Sequence, residues 1–165
     1  MKLIALSILT IFDIIEKMNL LIEEIIMEIN LRLDRNMRII GTSELGFETV
    51  FDTHPSVGGE DTAPAPMEVF LQAMAACSFM DVVSIIRKKR KEVIGLDIKA
   101  EAVRATTHPK VITDVHLTFV LTSPDAEQGD LDRAVELSQK TYCGASAMFQ
   151  RSGCKVTWET IIKRP

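Results

Sequence analysis

Apolar residues recur at helical spacing through the first stretch of the chain, at Ile4, Ile8, Ile11, Ile14, Ile15, Met18, Leu21, Ile22, Ile25 and Ile26. The pattern predicts a long amphipathic helix over residues 1–27, an extension whose apolar stripe must bury against a partner subunit or the protein itself. Asp13 stops the uninterrupted apolar run after about ten residues, and no small-x-small cleavage site follows, so the segment reads neither as a membrane span nor as a clean signal peptide. Its polar face carries few lysines, which argues against docking on a membrane surface. A non-native extension ahead of Met18 or Met27 is the remaining reading.

From Glu28 the texture changes to short alternating runs, EINLRLDR, MRIIGTSE and FETVFDTH, which predict a three-stranded antiparallel meander. Residues 56–66 hold two glycines and two prolines, each preceded by alanine, and read as an exposed connector. Pro66 then opens a helix that runs without glycine or proline to Arg90, apolar almost all round for four turns, as expected of a helix enclosed by other elements. Its end, Arg87-Lys88-Lys89-Arg90-Lys91, complements the helix dipole and lacks the interleaved aromatics of a nucleic-acid patch. LDIKAEAVRAT and VITDVHLTFVLTS read as a hairpin, residues 130–142 and 145–152 as helices broken at Cys143-Gly144, and CKVTWETIIK as a last strand. The order is that of a single α+β domain over residues 28–165.

The 165 residues are 47% hydrophobic, enough for one core and incompatible with disorder. A formal net charge of −4 leaves no global field for nucleic acid. Three cysteines, Cys77, Cys143 and Cys154, are too few for a secreted disulfide scaffold and fit a reducing cytosol. On local grounds Cys77, in the third turn of the most apolar helix, reads as an inert core thiol, and Asp81 one turn later disfavours a thiolate. Cys143 is better placed, because amide N–H groups at the start of the following helix can stabilise a thiolate there. Cys154, partly exposed at a strand start beside Lys155, reads as structural. No C-x-x-C and no histidine pair at helical spacing is present, so the metal signal is weak. Cysteine-protease chemistry needs a histidine that His54, His108 and His116 do not place by sequence.

The run PMEVFLQAMAACSFMDVVSIIRKKR resembles the cysteine helix of the OsmC/Ohr superfamily, and AVELSQKTYCGASAMF resembles its second cysteine motif. The resemblance covers residues 28–164, and the wording around the first motif looks most like the YhfA-like branch. It implies an OsmC-like fold, with antiparallel sheets packed around a central cysteine-bearing helix in an intertwined homodimer. It also implies a thiol peroxidase without cofactor or metal, acting on small organic hydroperoxides with a dithiol reductant, which joins the cytosolic location and the absence of a nucleic-acid or membrane partner expected from cysteine usage and charge. Cys77 would be peroxidatic and Cys143 resolving, the reverse of the local ranking. The family's hydroperoxide-reductase branch has a glutamate ten residues before the first cysteine; here that place is Met67, and Glu68, nine residues before, projects from the opposite side of the helix. The family arginine comes from the first strands, where Arg35 and Arg38 are candidates. The reading of a different class is a non-catalytic dimer binding a small apolar or sulfur-containing ligand in its interface cleft.

Overall fold

The computed structural model describes residues 26–165. The helix expected over residues 1–27 thus lies outside the described residues, except for Ile26 and Met27, which are exposed and belong to no helix or strand. The chain divides into two compact units, one up to Ala65 and one from Pro66 to Pro165.

In the first unit, β1 (Ile29–Arg35), β2 (Arg38–Ser43) and β3 (Glu48–Phe51) form the antiparallel meander that the alternation predicts. After β3, the carboxylate of Asp52, 1% exposed, organises the connector. It accepts hydrogen bonds from the Thr62 hydroxyl (2.6 Å), from the Thr62 N–H (3.0 Å) and from the N–H groups of Thr53 and Glu60. These donors, the Thr62 hydroxyl foremost, hold its pKa well below the usual carboxylate range. Gly59 is obligatory in this wrap, since a Cβ there would fall 1.8 Å from the carbonyl oxygen of Thr53.

The second unit contains α1 (Pro66–Lys88), β4 (Gly95–Arg104), β5 (Ile112–Thr122), α2 (Gln128–Leu137), a π-helical turn (Ser138–Tyr142), α3 (Gly144–Arg151) and β6 (Lys155–Lys163). Pro66 occupies a first-turn position, where its missing N–H costs nothing. At the other end, Lys91 N–H bonds Ile86 O and Arg90 N–H bonds Arg87 O around a left-handed Arg90 (φ 62°), the Schellman closure usually built with glycine. β4 and β5 form the expected antiparallel hairpin. The sequence reading expects antiparallel sheets, and β6 departs from it by lying parallel to β5, with Leu117 opposite Trp158. A parallel neighbour requires a long crossover, supplied here by α2, the π turn and α3.

Every second residue of β5 from Val115 to Leu121 is buried, and these side chains form one core with Met74, Val82 and Ile86 of α1, Leu131 and Val135 of α2, and Phe149 of α3. The helix α1, long and apolar enough to cross a membrane by composition alone, is therefore a core helix of this unit. It is not enclosed, however. Only Met74, Ser78, Val82 and Ile86 are buried, a single stripe repeating every four residues, while Phe70 is 48% and Met80 72% exposed. Apolarity around a helix records that it gets covered, without recording whether its own chain or another molecule does the covering.

Candidate active site

The break between α2 and α3 places Cys143 at the N-cap of α3, as its position at the helix break predicts, with its Sγ accepting a hydrogen bond from the Ser146 N–H at 3.3 Å. The π-helical turn feeds it there, and such turns bring side chains to positions a regular helix cannot reach. Opposite, α1 presents Cys77, Ser78 and Asp81. The two sulfurs of Cys77 and Cys143 and a carboxylate oxygen of Asp81 all lie within 4.8 Å of one another. Both residues singled out in the sequence are thus together.

Their exposure inverts the local reading. Cys77 lies one position beside the buried Met74–Ser78 stripe and is half-buried, whereas Cys143 is 3% exposed. Burial pushes the Cys143 thiol up, against the lowering effect of two donors to its sulfur, the Ser78 hydroxyl (3.3 Å) and the Ser146 N–H. Cys154, expected to be partly exposed, is buried in the core, its N–H bonded to the Phe149 carbonyl, and burial raises its thiol as well. It has no place in the pair.

A buried polar network supports Cys143, which the sequence reading does not include. Gln139 Nε2 donates to Ser78 Oγ (2.8 Å), Ser146 Oγ donates to Gln139 Oε1 (2.7 Å), and Gln150 Nε2 donates to Ser146 Oγ (3.0 Å). Ser78, Gln139 and Ser146 are each 2% exposed or less. A closed network of this kind fixes rotamers because every alternative leaves a buried donor unpaired. On the other side, Ser138 Oγ donates to Asp81 Oδ2 at 3.0 Å. The available signal was the set of small polar residues, Ser78, Ser138 and Ser146, at positions where the apolar periodicity calls for core.

Arg35 and Arg38, the candidate arginines, belong to the first unit. There Arg35 pairs with Glu60 (2.9 Å) and Asp34, and Arg38 with Asp34 (3.0 Å) and the Thr62 hydroxyl. Within the second unit an apolar cleft of about 330 Å³ opens between the start of α1 and α3, lined by Met67, Phe70, Val111, Ile112, Met148 and Phe149. Met67, ten residues before Cys77, is one of its walls.

Residues 58–159 match the family model described as OsmC-like protein. The chain is 31% identical to protein YhfA of Escherichia coli (strain K12) over 126 residues, 76% of this chain and 91% of that protein. An OsmC-like protein from Mycoplasma pneumoniae has the same fold at 18% identity, with a TM-score of 0.71 over 83% of this chain and 96% of the other. So does an organic hydroperoxide resistance protein OsmC from Legionella pneumophila, at 15% identity and a TM-score of 0.61 over 82% and 96% of the respective chains. With two cysteine motifs converging on one pair of sulfurs and the family model spanning nearly all of the second unit and the end of the first, the chain belongs to the OsmC-like family.

Proposed function

We propose that this protein is a cytosolic thiol peroxidase that reduces organic hydroperoxides, with Cys77 peroxidatic and Cys143 resolving. The observation that carries the reading is the approach of the two sulfurs to within 4.8 Å across two different elements. Cys77, the more accessible, attacks the outer oxygen of the hydroperoxide as a thiolate; the O–O bond breaks, the alkoxide takes a proton and leaves as alcohol, and Cys77 becomes a sulfenic acid. Cys143 then attacks the sulfenic sulfur, forming the disulfide and releasing water. Closing from the reduced separation to an S–S bond of about 2.05 Å takes rotamer changes and movement at the π turn. A dithiol restores both thiols by exchange, the reductant itself ending as a disulfide. The apolar cleft beside α1 and α3 supports an alkyl rather than a charged substrate, as do the hydroperoxide resistance proteins that share the fold.

Mass spectrometry of the fully reduced protein after one equivalent of cumene hydroperoxide is the test. A linked peptide joining Cys77 and Cys143 is expected, and its absence while both thiols remain reduced would sink the peroxidase reading in favour of a ligand-binding dimer.

The raised Cys143 pKa gives the closing step a pH dependence. Burial makes the thiol the dominant form near neutrality, so the thiolate fraction, and with it the rate of disulfide closure, rises about tenfold per unit between about pH 6 and about pH 8. Rapid quench of the sulfenic intermediate measures this, and a flat profile would show that Cys143 is not the attacking group.

A homodimer is part of the same reading. The exposed side of α1, with Met80, and the apolar row Ile29, Leu31 and Leu33 of β1, each more than 60% exposed, are surfaces that the described residues leave uncovered. Sedimentation at micromolar concentration is expected to give a dimer, with a stable folded monomer counting against it.

A further inference from the structure

Cys77 and Asp81 are one helical turn apart on α1, so their side chains leave the same face, and the α3 cap brings Cys143 against both. Among the described residues this is the one group of three Cys, His, Asp or Glu side chains whose ligand atoms all lie within 4.8 Å of one another. A tetrahedral Zn²⁺ with bonds of about 2.3 Å to sulfur and about 2.1 Å to oxygen needs ligand atoms roughly 3.5–3.8 Å apart, within reach of rotamer adjustment from that spacing. The surroundings are those of a metal site's outer shell. Ser138 orients the Asp81 carboxylate through Oδ2, and the Ser78 hydroxyl and Ser146 N–H donate to the Cys143 sulfur, the pattern that steadies a coordinated thiolate. Gln139 and Ser146 in turn lock Ser78. Two thiolates and a carboxylate would neutralise the cation's charge with one negative charge to spare, and they favour a borderline metal over Mg²⁺ or Ca²⁺.

We propose that Cys77, Asp81 and Cys143 form a three-ligand Zn²⁺ site with an open fourth position. Binding stands on the geometry alone. Its consequence, that zinc takes both thiols out of turnover until it is removed, rests on the peroxidase reading.

Co²⁺, which reports tetrahedral thiolate coordination by its charge-transfer and d–d absorption, is the probe for the fully reduced full-length chain, with Zn²⁺ added in competition. A sulfur-to-cobalt band that Zn²⁺ abolishes is expected. Cys77→Ser and Cys143→Ser should each strip intensity from it, and Cys154→Ser should leave it unchanged. Asp81→Asn, which keeps an acceptor for Ser138, should weaken Zn²⁺ at least tenfold. No thiolate band in the wild-type protein, or a Zn²⁺ affinity indifferent to Asp81→Asn, overturns the site. Hydroperoxide consumption measured with Zn²⁺ and again after chelation separates the two proposals. Turnover that zinc slows at least tenfold and chelation restores supports both. Turnover in a protein with no cobalt band removes the site and spares the peroxidase. A cobalt band with no turnover under either condition removes the peroxidase and spares the site.

Discussion

Cys77→Ser is expected to abolish hydroperoxide consumption, while Cys143→Ser consumes about one equivalent and stops at a sulfenic acid that a dimedone-type reagent traps. The asymmetry follows from where each sulfur lies. Attack on the peroxide needs an accessible sulfur, and Cys77 is half-buried at the edge of the helix stripe, whereas Cys143 is held in the interior by Ser78 and Ser146. Removing Cys143 leaves the first step intact and deletes only the condensation. Because a thiolate is the nucleophile and serine is not ionised near neutrality, the loss at Cys77 is one of kind rather than degree. Cys154→Ala serves as the control: its side chain is in the core, apart from the pair, so turnover per folded molecule is expected to be unchanged. Three variants with wild-type consumption would mean that the thiols are structural, and a Cys143→Ser protein that turns over fully would remove its resolving role.

Phe119→Ala is expected to destabilise the protein by about 3–5 kcal/mol, a large share of the roughly 5–15 kcal/mol that holds a domain of ordinary stability. Phe119 is fully buried at the middle of β5, opposite Ile98 of β4 and Thr160 of β6. Both neighbouring strands are fixed by backbone ladders, so the walls of the cavity cannot collapse inward, and the cost stays near the upper part of the range for such truncations. Phe70→Ala provides the contrast. Its ring is half exposed and stacks on Phe149 with centroids 4.6 Å apart, which puts its loss at about 1–2 kcal/mol. Urea unfolding of both variants compares them, with the midpoint falling and the slope unchanged. A loss below about 1.5 kcal/mol at Phe119 would mean that the core relaxes far more than its strand register allows.

The strands were legible in the sequence because period-two alternation is a local signal: the meander over Glu28–His54 and the β4–β5 hairpin appear close to where the pattern puts them. The direction of β6 was not, since its partner lies across two helices and no turn residue encodes the pairing. The same distance hid the environment of the thiols. Composition around Cys77 describes the helix it sits on, yet its exposure is decided by which stripe of that helix enters the core, and Cys143 meets its hydrogen-bond donor Ser78 from 65 residues earlier. The pairing of Cys77 with Cys143 came from the resemblance of two motifs to a family. Neither the Gln139 network nor the convergence of Asp81 with both sulfurs has a signature that a single sequence displays.

The parallel docking of β6 orders events in time. The β4–β5 hairpin closes from neighbouring residues and is the quick part of folding, whereas β5–β6 pairing must first span everything from Ser123 to Cys154, and the closure entropy of that span is offset only as the last ladder forms. The turn that carries Cys143 lies inside the span. Its seating against α1 is therefore tied to the final strand, and a nascent chain still lacking its C-terminus is expected to hold the two thiols apart.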